Sequence, residues 1–270
     1  MDHTITIIES QLDWLTCSNK GNDDAPLFRA MGSKLCEWER DIGGLASPFR
    51  LHNYRGFRVG RAAYGTQGES AIIALSGDLA DRAFTSLLPL ATNVSRIDTA
   101  VTARVEPFDR DIGLEAFHAA EGIWLDEPRG PKPAGFLNPD AFTSFYLGGR
   151  ASEVYLRLYD KYGESKDEHY RTCWRWEVES KGSVATSLAL ACSGSSDRPT
   201  FCQGYVHHSY ASRGAEPPWH SDSEHVLIRG FRRRADTDRK LAWLRKYVAP
   251  SVAKLVANGK RDETTAALGL

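Results

Sequence analysis

Residues 153–161 read Glu-Val-Tyr-Leu-Arg-Leu-Tyr-Asp-Lys. On an extended strand, side chains two apart share a face. Val154, Leu156 and Leu158 then lie on one side, and Tyr155, Arg157, Tyr159 and Lys161 on the other. Residues 172–179 repeat the pattern, with Trp174, Trp176 and Val178 apolar and Arg175, Glu177 and Glu179 opposite. In residues 94–102, Ile97, Thr99 and Val101 alternate with Arg96 and Asp98. If these strands are neighbours, one sheet face gathers acids, tyrosines and cations. Carboxylates on adjacent strands suit a hard divalent ion such as Mg²⁺ or Mn²⁺, and arginine and lysine suit phosphate oxygens. A tyrosine among them is a nucleophile candidate once a neighbouring cation or metal favours its phenolate. The same alternation also describes a solvated sheet face carrying cross-strand ion pairs, and the pattern alone leaves both readings open.

The elements that would position this face follow from periodicity. Ile5 and Ile7 alternate in a short first strand, and Leu27, Met31, Leu35, Trp38 and Ile42 recur at helical spacing. Residues 54–63 and 69–76 read as two strands about the glycine-bearing turn 64–68, and Asp78 is a cap for a helix through Leu88. A strand at 94–104, a short helix at 111–120 and a surface loop at 126–139 holding four prolines come next. Strands at 141–147 and 152–161 form a hairpin, with a further strand at 172–179. Val184, Leu188 and Ala191 mark a helix ending near 193–196. The last 35 or so residues read as helices, with Leu241, Leu244 and Val248 on one face and Pro250 as a break. The expected fold is α+β: an antiparallel sheet with helices on one face, the polar active-site face on the other, and C-terminal helices. The expected division is a catalytic domain at 1–225 and a basic helical segment at 226–270.

Composition narrows the classes. The 270 residues are 41% hydrophobic and 26% charged, ordinary for a folded soluble chain and outside the range of disorder. No apolar run is long enough for a bilayer and the N-terminus lacks a signal-peptide pattern, so the reading is cytoplasmic with no membrane partner. The five cysteines are odd in number, scattered and without a CxxC pair, which points to free thiols. A formal charge of −1 hides an asymmetry: residues 201–270 carry 12 Lys/Arg against 7 Asp/Glu, whereas the rest of the chain is acidic. Arg229, Arg232, Arg233 and Arg234 are the densest basic cluster, a candidate phosphate-contacting stretch or a solvated helix face. His207-His208, taken as strand neighbours, would point to opposite faces and chelate poorly. Trp174 and Trp176 fall on the apolar side and read as core.

These residues resemble the replication initiation factor family often called Rep_trans, which includes rolling-circle plasmid initiators, filamentous-phage initiators and related conjugative relaxases. The resemblance lies in Asp13-Trp14-Leu15-Thr16, Leu75-Ser76-Gly77, Arg96-Ile97-Asp98, the run Phe145 through Ser152, the run Tyr155 through Lys161, Arg175-Trp176-Glu177, and Lys240 through Pro250. It spans nearly the whole chain, and YxRxYDK followed by RxE is its specific part. The resemblance implies an enzyme that nicks and rejoins one strand at an origin through a 5′-phosphotyrosine, freeing a 3′-OH for a polymerase. It implies Tyr159 as nucleophile with Tyr155 in reserve, and Asp98, Glu177 and Glu179 as ligands for Mg²⁺ or Mn²⁺. Arg157 or Lys161 would stabilise developing charge, with Arg96, Arg175 and the 229–234 arginines toward DNA. The partners implied are origin duplex and nicked single strand, a host helicase and polymerase, and a second copy of the chain as a dimer. One departure stands out: the family often has an acid four residues after the RxD aspartate, and here that place is Thr102. This motivates an alternative, a DNA-binding or regulatory protein that keeps the fold without the chemistry.

Overall fold

The structure is a computed structural model that describes residues 3–20, 39–41, 51–53, 60–64, 70–109, 111–126, 132–136, 144–219, 228 and 249–260. Contacts divide the chain into two units, Met1–Gly230 and Phe231–Leu270.

In the first unit, strands β1 (Thr4–Lys20), β2 (Glu39–Asp41), β3 (Leu51–Asn53), β4 (Gly60–Tyr64) and β5 (Ser70–Ser76) precede helix α1 (Asp78–Leu87). Strand β6 (Asn93–Glu106), helix α2 (Asp111–Asp126) and strands β7 (Ala134–Phe136), β8 (Ser144–Leu147) and β9 (Val154–Asp160) follow. The short α3 (Lys161–Ser165) leads to β10 (Cys173–Lys181), α4 (Gly182–Gly194) and α5 (Arg198–Ala211). Eight strands form one sheet in the order β4-β5-β1-β6-β10-β9-β8-β7, every pair antiparallel. β2 and β3 pair separately.

The three alternating strands found in the sequence are consecutive neighbours: β6, β10 and β9. Their apolar residues Ile97, Val101, Leu156, Leu158, Trp174, Trp176 and Val178 are buried in one core with Leu12, Leu15, Phe84, Leu87 and Leu188. α1, α4 and α5 pack on this side against β1, β6 and β10, and α2 packs against β8. At the α2 crossing a Cβ on Gly113 would lie 2.5 Å from both Phe145 and Trp174, so only glycine permits the approach. This is the expected α+β arrangement, with α1, α4 and α5 on the apolar face.

Several local expectations change. Residues 39–41, the end of the early helix expected through Ile42, are a β-strand, while 21–38 lie outside the described residues. Gly77, at φ +60, is the N-cap of α1, and Asp78 is its first residue, paired with Arg82 at 3.0 Å. The helix expected at 111–120 extends to Asp126, and the proline loop contains β7. His207 and His208 lie on α5, a helix the strand assignment missed. Cys17, Cys173, Cys192 and Cys202 are free and buried, as expected.

In the second unit, α6 (Ala249–Ala257) is described. Pro250 stands in its first turn, where the missing N–H costs nothing, and so opens a helix where the sequence suggested a break. Leu241, Leu244 and Val248 lie outside the described residues. No described helix is long and apolar enough to cross a membrane.

Candidate active site

The polar face is a grid fixed by strand register. One cross-strand row runs Trp14, Asp98, Glu179, Tyr155; the next Gln11, Ala100, Glu177, Arg157, Tyr146; the third Glu9, Thr102, Arg175, Tyr159, Ser144. β1 contributes to each row because of two bulges. The register shifts between Ile7 and Glu9 and again between Leu12 and Trp14. The extra residue Ile8 turns Glu9 onto the polar side, and the extra residue Asp13 places itself and Trp14 there together. A bulge next to a site commonly re-aims side chains in this way.

Five carboxylates meet four cations on this grid. Arg96 binds Asp98 through two nitrogens, Nε to Oδ1 at 2.8 Å and Nη2 to Oδ2 at 2.5 Å, and reaches Glu179 at 2.9 Å. Arg157 Nη2 donates to Asp98 Oδ2 at 3.0 Å and to Glu177 Oε1, with Glu179 Oε2 at 3.8 Å. Lys181 Nζ pairs with Glu179 Oε1. Arg175 pairs with Glu9 at 3.1 Å and Asp13 at 2.5 Å, and donates to Thr102 Oγ1 at 2.9 Å. Asp98 and Glu177 are 1% and 3% exposed. Burial raises the Asp98 carboxyl against the pull of Arg96 and Arg157. Burial likewise raises Glu177; Arg157 draws it down, Asp13 and Asp98 push it back, and the result is a value of about 8.

Tyr159 donates its hydroxyl to Glu177 Oε2 at 3.2 Å, and Lys161 Nζ lies 5.9 Å from its ring centroid. Burial, then the Glu177 charge, hold this phenol above the ordinary tyrosine range. In the arrangement described, Tyr159 is therefore the protonated partner of an acceptor rather than a phenolate. Tyr155 is buried and stacks on Tyr146 with centroids 5.8 Å apart. Burial raises its pKa as well.

The sequence-derived set is brought together: Asp98, Arg96, Tyr155, Arg157, Tyr159, Arg175, Glu177 and Glu179 share the face. Lys161, at the start of α3, pairs with Glu164 at 2.8 Å. Arg175 needs correction as a DNA contact: at 2% exposure it is spent on Glu9, Asp13 and Thr102, which makes it an internal strut. Arg229, Arg232, Arg233 and Arg234 lie outside the described residues. Glu9, Asp13, Tyr146 and Tyr170 were missed. Tyr170 donates to Glu9 Oε1 at 2.7 Å, and Glu9 Oε2 also accepts from Thr102 at 3.3 Å. A carboxylate thus stands beside Thr102, supplied by another strand.

The proposed ion ligands Asp98, Glu177 and Glu179 all address one atom, Arg157 Nη2. Three carboxylates converging on a point are the donor chemistry of a hard divalent ion. The residues fit such an ion in type, while the point they address is occupied by the Arg157 guanidinium. Among the described residues no group of three or more His, Cys, Asp or Glu is placed to hold a metal ion.

An antiparallel α+β scaffold with a carboxylate, arginine and tyrosine grid is the class this fold and face define. Among solved structures, the chain is similar to a rolling circle replication initiator protein from Geobacillus stearothermophilus, with a TM-score of 0.51 and 16% identity over 71% of this chain and 79% of that one. The chain shares that initiator's fold, which bears out at the level of fold the resemblance first seen in the motifs. No family model matches the chain, and no curated protein matches it.

Proposed function

We propose that the chain is a replication initiator that nicks and rejoins one DNA strand at an origin. The observation carrying this reading is the Tyr159 hydroxyl seated on Glu177 beside Arg157, on a scaffold shared with a rolling-circle initiator. With Glu177 ionised, Tyr159 attacks the scissile phosphorus, its proton passes to Glu177 Oε2, and the bond to the 3′ oxygen breaks. The products are a 5′-phosphotyrosine and, with a proton from solvent, a free 3′-OH. Arg157 is the phosphate-holding group, because its guanidinium lies beside the Tyr159–Glu177 pair and 28% of its side chain is exposed. A divalent ion, when bound by Asp98, Glu177 and Glu179, supplies Lewis-acid polarisation of the phosphate. DNA is the partner, as duplex origin and then nicked strand, and host helicase and polymerase would extend the freed end in the cytoplasm.

Supercoiled DNA carrying the replicon's origin, incubated with protein and Mn²⁺, is expected to give relaxed circles covalently joined to protein. Peptide mapping should find the adduct on Tyr159, with Tyr155, Tyr146 and Tyr170 as the other positions on the same face to check. No joined product from wild type, or undiminished joining by Tyr159→Phe, removes the assignment.

A second reading, a non-catalytic DNA-binding regulator, is favoured by one feature: Arg157 fills the point on which the three acids converge. It requires salt-sensitive DNA binding without cleavage under any divalent ion. A nick mapped to a single phosphodiester excludes it.

A further inference from the structure

Trp14 is a large aromatic residue on the wrong side of a sheet for packing. Trp174 and Trp176 are fully buried and Trp219 nearly so, all within the apolar core. Trp14 is half-buried on the polar face, because the bulge at Asp13 sets it opposite Asp98 and Ser76. Its orientation is fixed twice. The indole Nε1 donates to Thr16 Oγ1 at 2.7 Å, and the Arg96 guanidinium lies over the ring with Cζ 4.6 Å from the centroid. Arg96 is itself held by Asp98 and Glu179, so the stacked pair is anchored into the carboxylate grid. It occupies the same cross-strand row as Tyr155, three strand positions away, or about 14 Å at the usual strand spacing.

An indole with a guanidinium over its ring presents a π surface with a cationic group beside it. Unpaired bases bind such surfaces through their π faces, whatever their sequence, while phosphates are attracted by the charge. We propose that the Trp14–Arg96 pair is a base-stacking platform for an unpaired nucleotide of the same strand whose phosphate lies over Arg157. This rests on the DNA reading above and adds to it a single-strand binding site that works without base-pair recognition. Trp14 holds the strand by its base, and Arg157 holds it by its backbone.

The test compares two probes with the same number of phosphates, a short oligothymidylate and an abasic oligomer of equal length, binding to the full chain with no divalent ion. Wild type should prefer the oligothymidylate. Trp14→Ala should lose about tenfold of that preference, while its affinity for the abasic oligomer and the salt dependence of both probes stay as in wild type. Trp14→Phe, which keeps a π face, should retain most of the preference and guards against a folding defect. An unchanged preference in Trp14→Ala, or a Trp14→Phe that behaves like alanine, overturns the platform alone. Failure of wild type to bind either probe overturns the platform together with the DNA reading. Loss of strand joining with the preference intact counts against the nicking chemistry and leaves the platform standing.

Discussion

Arg157 and Arg175 sit on adjacent strands of one sheet face, each among several carboxylates, yet their surroundings differ in a way that separates support from work. Arg175 is enclosed, with both terminal nitrogens committed to Glu9, Asp13 and Thr102. Arg157 concentrates its contacts on Nη2 and keeps 28% of its side chain exposed, against 3% for Arg175. Burial opposes both charges, and the surrounding acids outweigh it, so both arginines are held firmly protonated. The same residue type in the same company is a strut where solvent is excluded and a candidate ligand group where it is not.

Arg175→Met leaves Glu9 and Asp13 without their cation, and the expected loss is about 3 to 5 kcal/mol of stability, read by urea denaturation. Arg175→Lys should recover only part of it, since one ammonium cannot span both acids. A loss no larger than that of a surface ion pair would mean that the two arginines are alike.

Arg157→Met should show the opposite balance. Arg96 still neutralises Asp98 and Glu179, and Glu177 can take up a proton, so stability falls by only about 1 to 2 kcal/mol. Strand joining should fall by roughly 100-fold or more. A large stability loss with joining unaffected would reverse the roles assigned to the pair.

The same variant sharpens the cation question. With the guanidinium removed from the point where Asp98, Glu177 and Glu179 converge, Mn²⁺ should bind about tenfold more tightly than to wild type. Electron paramagnetic resonance of free Mn²⁺ reads this without any DNA, and adding Asp98→Asn should abolish the gain. Equal affinity in wild type and Arg157→Met would show that the guanidinium does not compete for the site.

The smallest effect expected is in the pH dependence of stability. Glu177 titrates near 8 in the folded chain, above its ordinary 4.5, so the folded state binds the proton more tightly. Its contribution is complete below about pH 4.5 and is lost as pH rises through about 8. Glu177→Gln should flatten the fall in melting temperature across that interval, and an unaltered slope would assign the proton to another group.

Much of the fold was legible because β9, β10 and β6 from Arg96 onward alternate without interruption, and that alternation separated Trp174 and Trp176 from Arg175 and Glu177 correctly. Glu9 was not legible. Counted by twos from Ile5 and Ile7 it belongs to the core side, and only the bulge at Ile8 brings it to the grid. Asp13 and Trp14 were visible as a motif but not as neighbours of Arg175 and Asp98, for the same reason. The role of Arg175 was misread because alternation reports the face of a side chain and not how deeply neighbours cover it. His207 and His208 went astray because α5 carries aromatic and β-branched residues whose helical period is masked by polar ones.

The bulged strand β1 behaves as though it had a reading frame. Each extra residue advances the phase by one, so that deletion of Ile8 would close the ladder with Ile7 still opposite Ala103 and Glu9 still opposite Thr102, whereas deletion of a paired residue would turn over the side chains beyond it. Deletion of Asp13 would remove one carboxylate yet keep Trp14 opposite Asp98. Along this strand, insertions and deletions edit the charge content of the face one unit at a time, a route to divergent chemistry that substitution counts would not register.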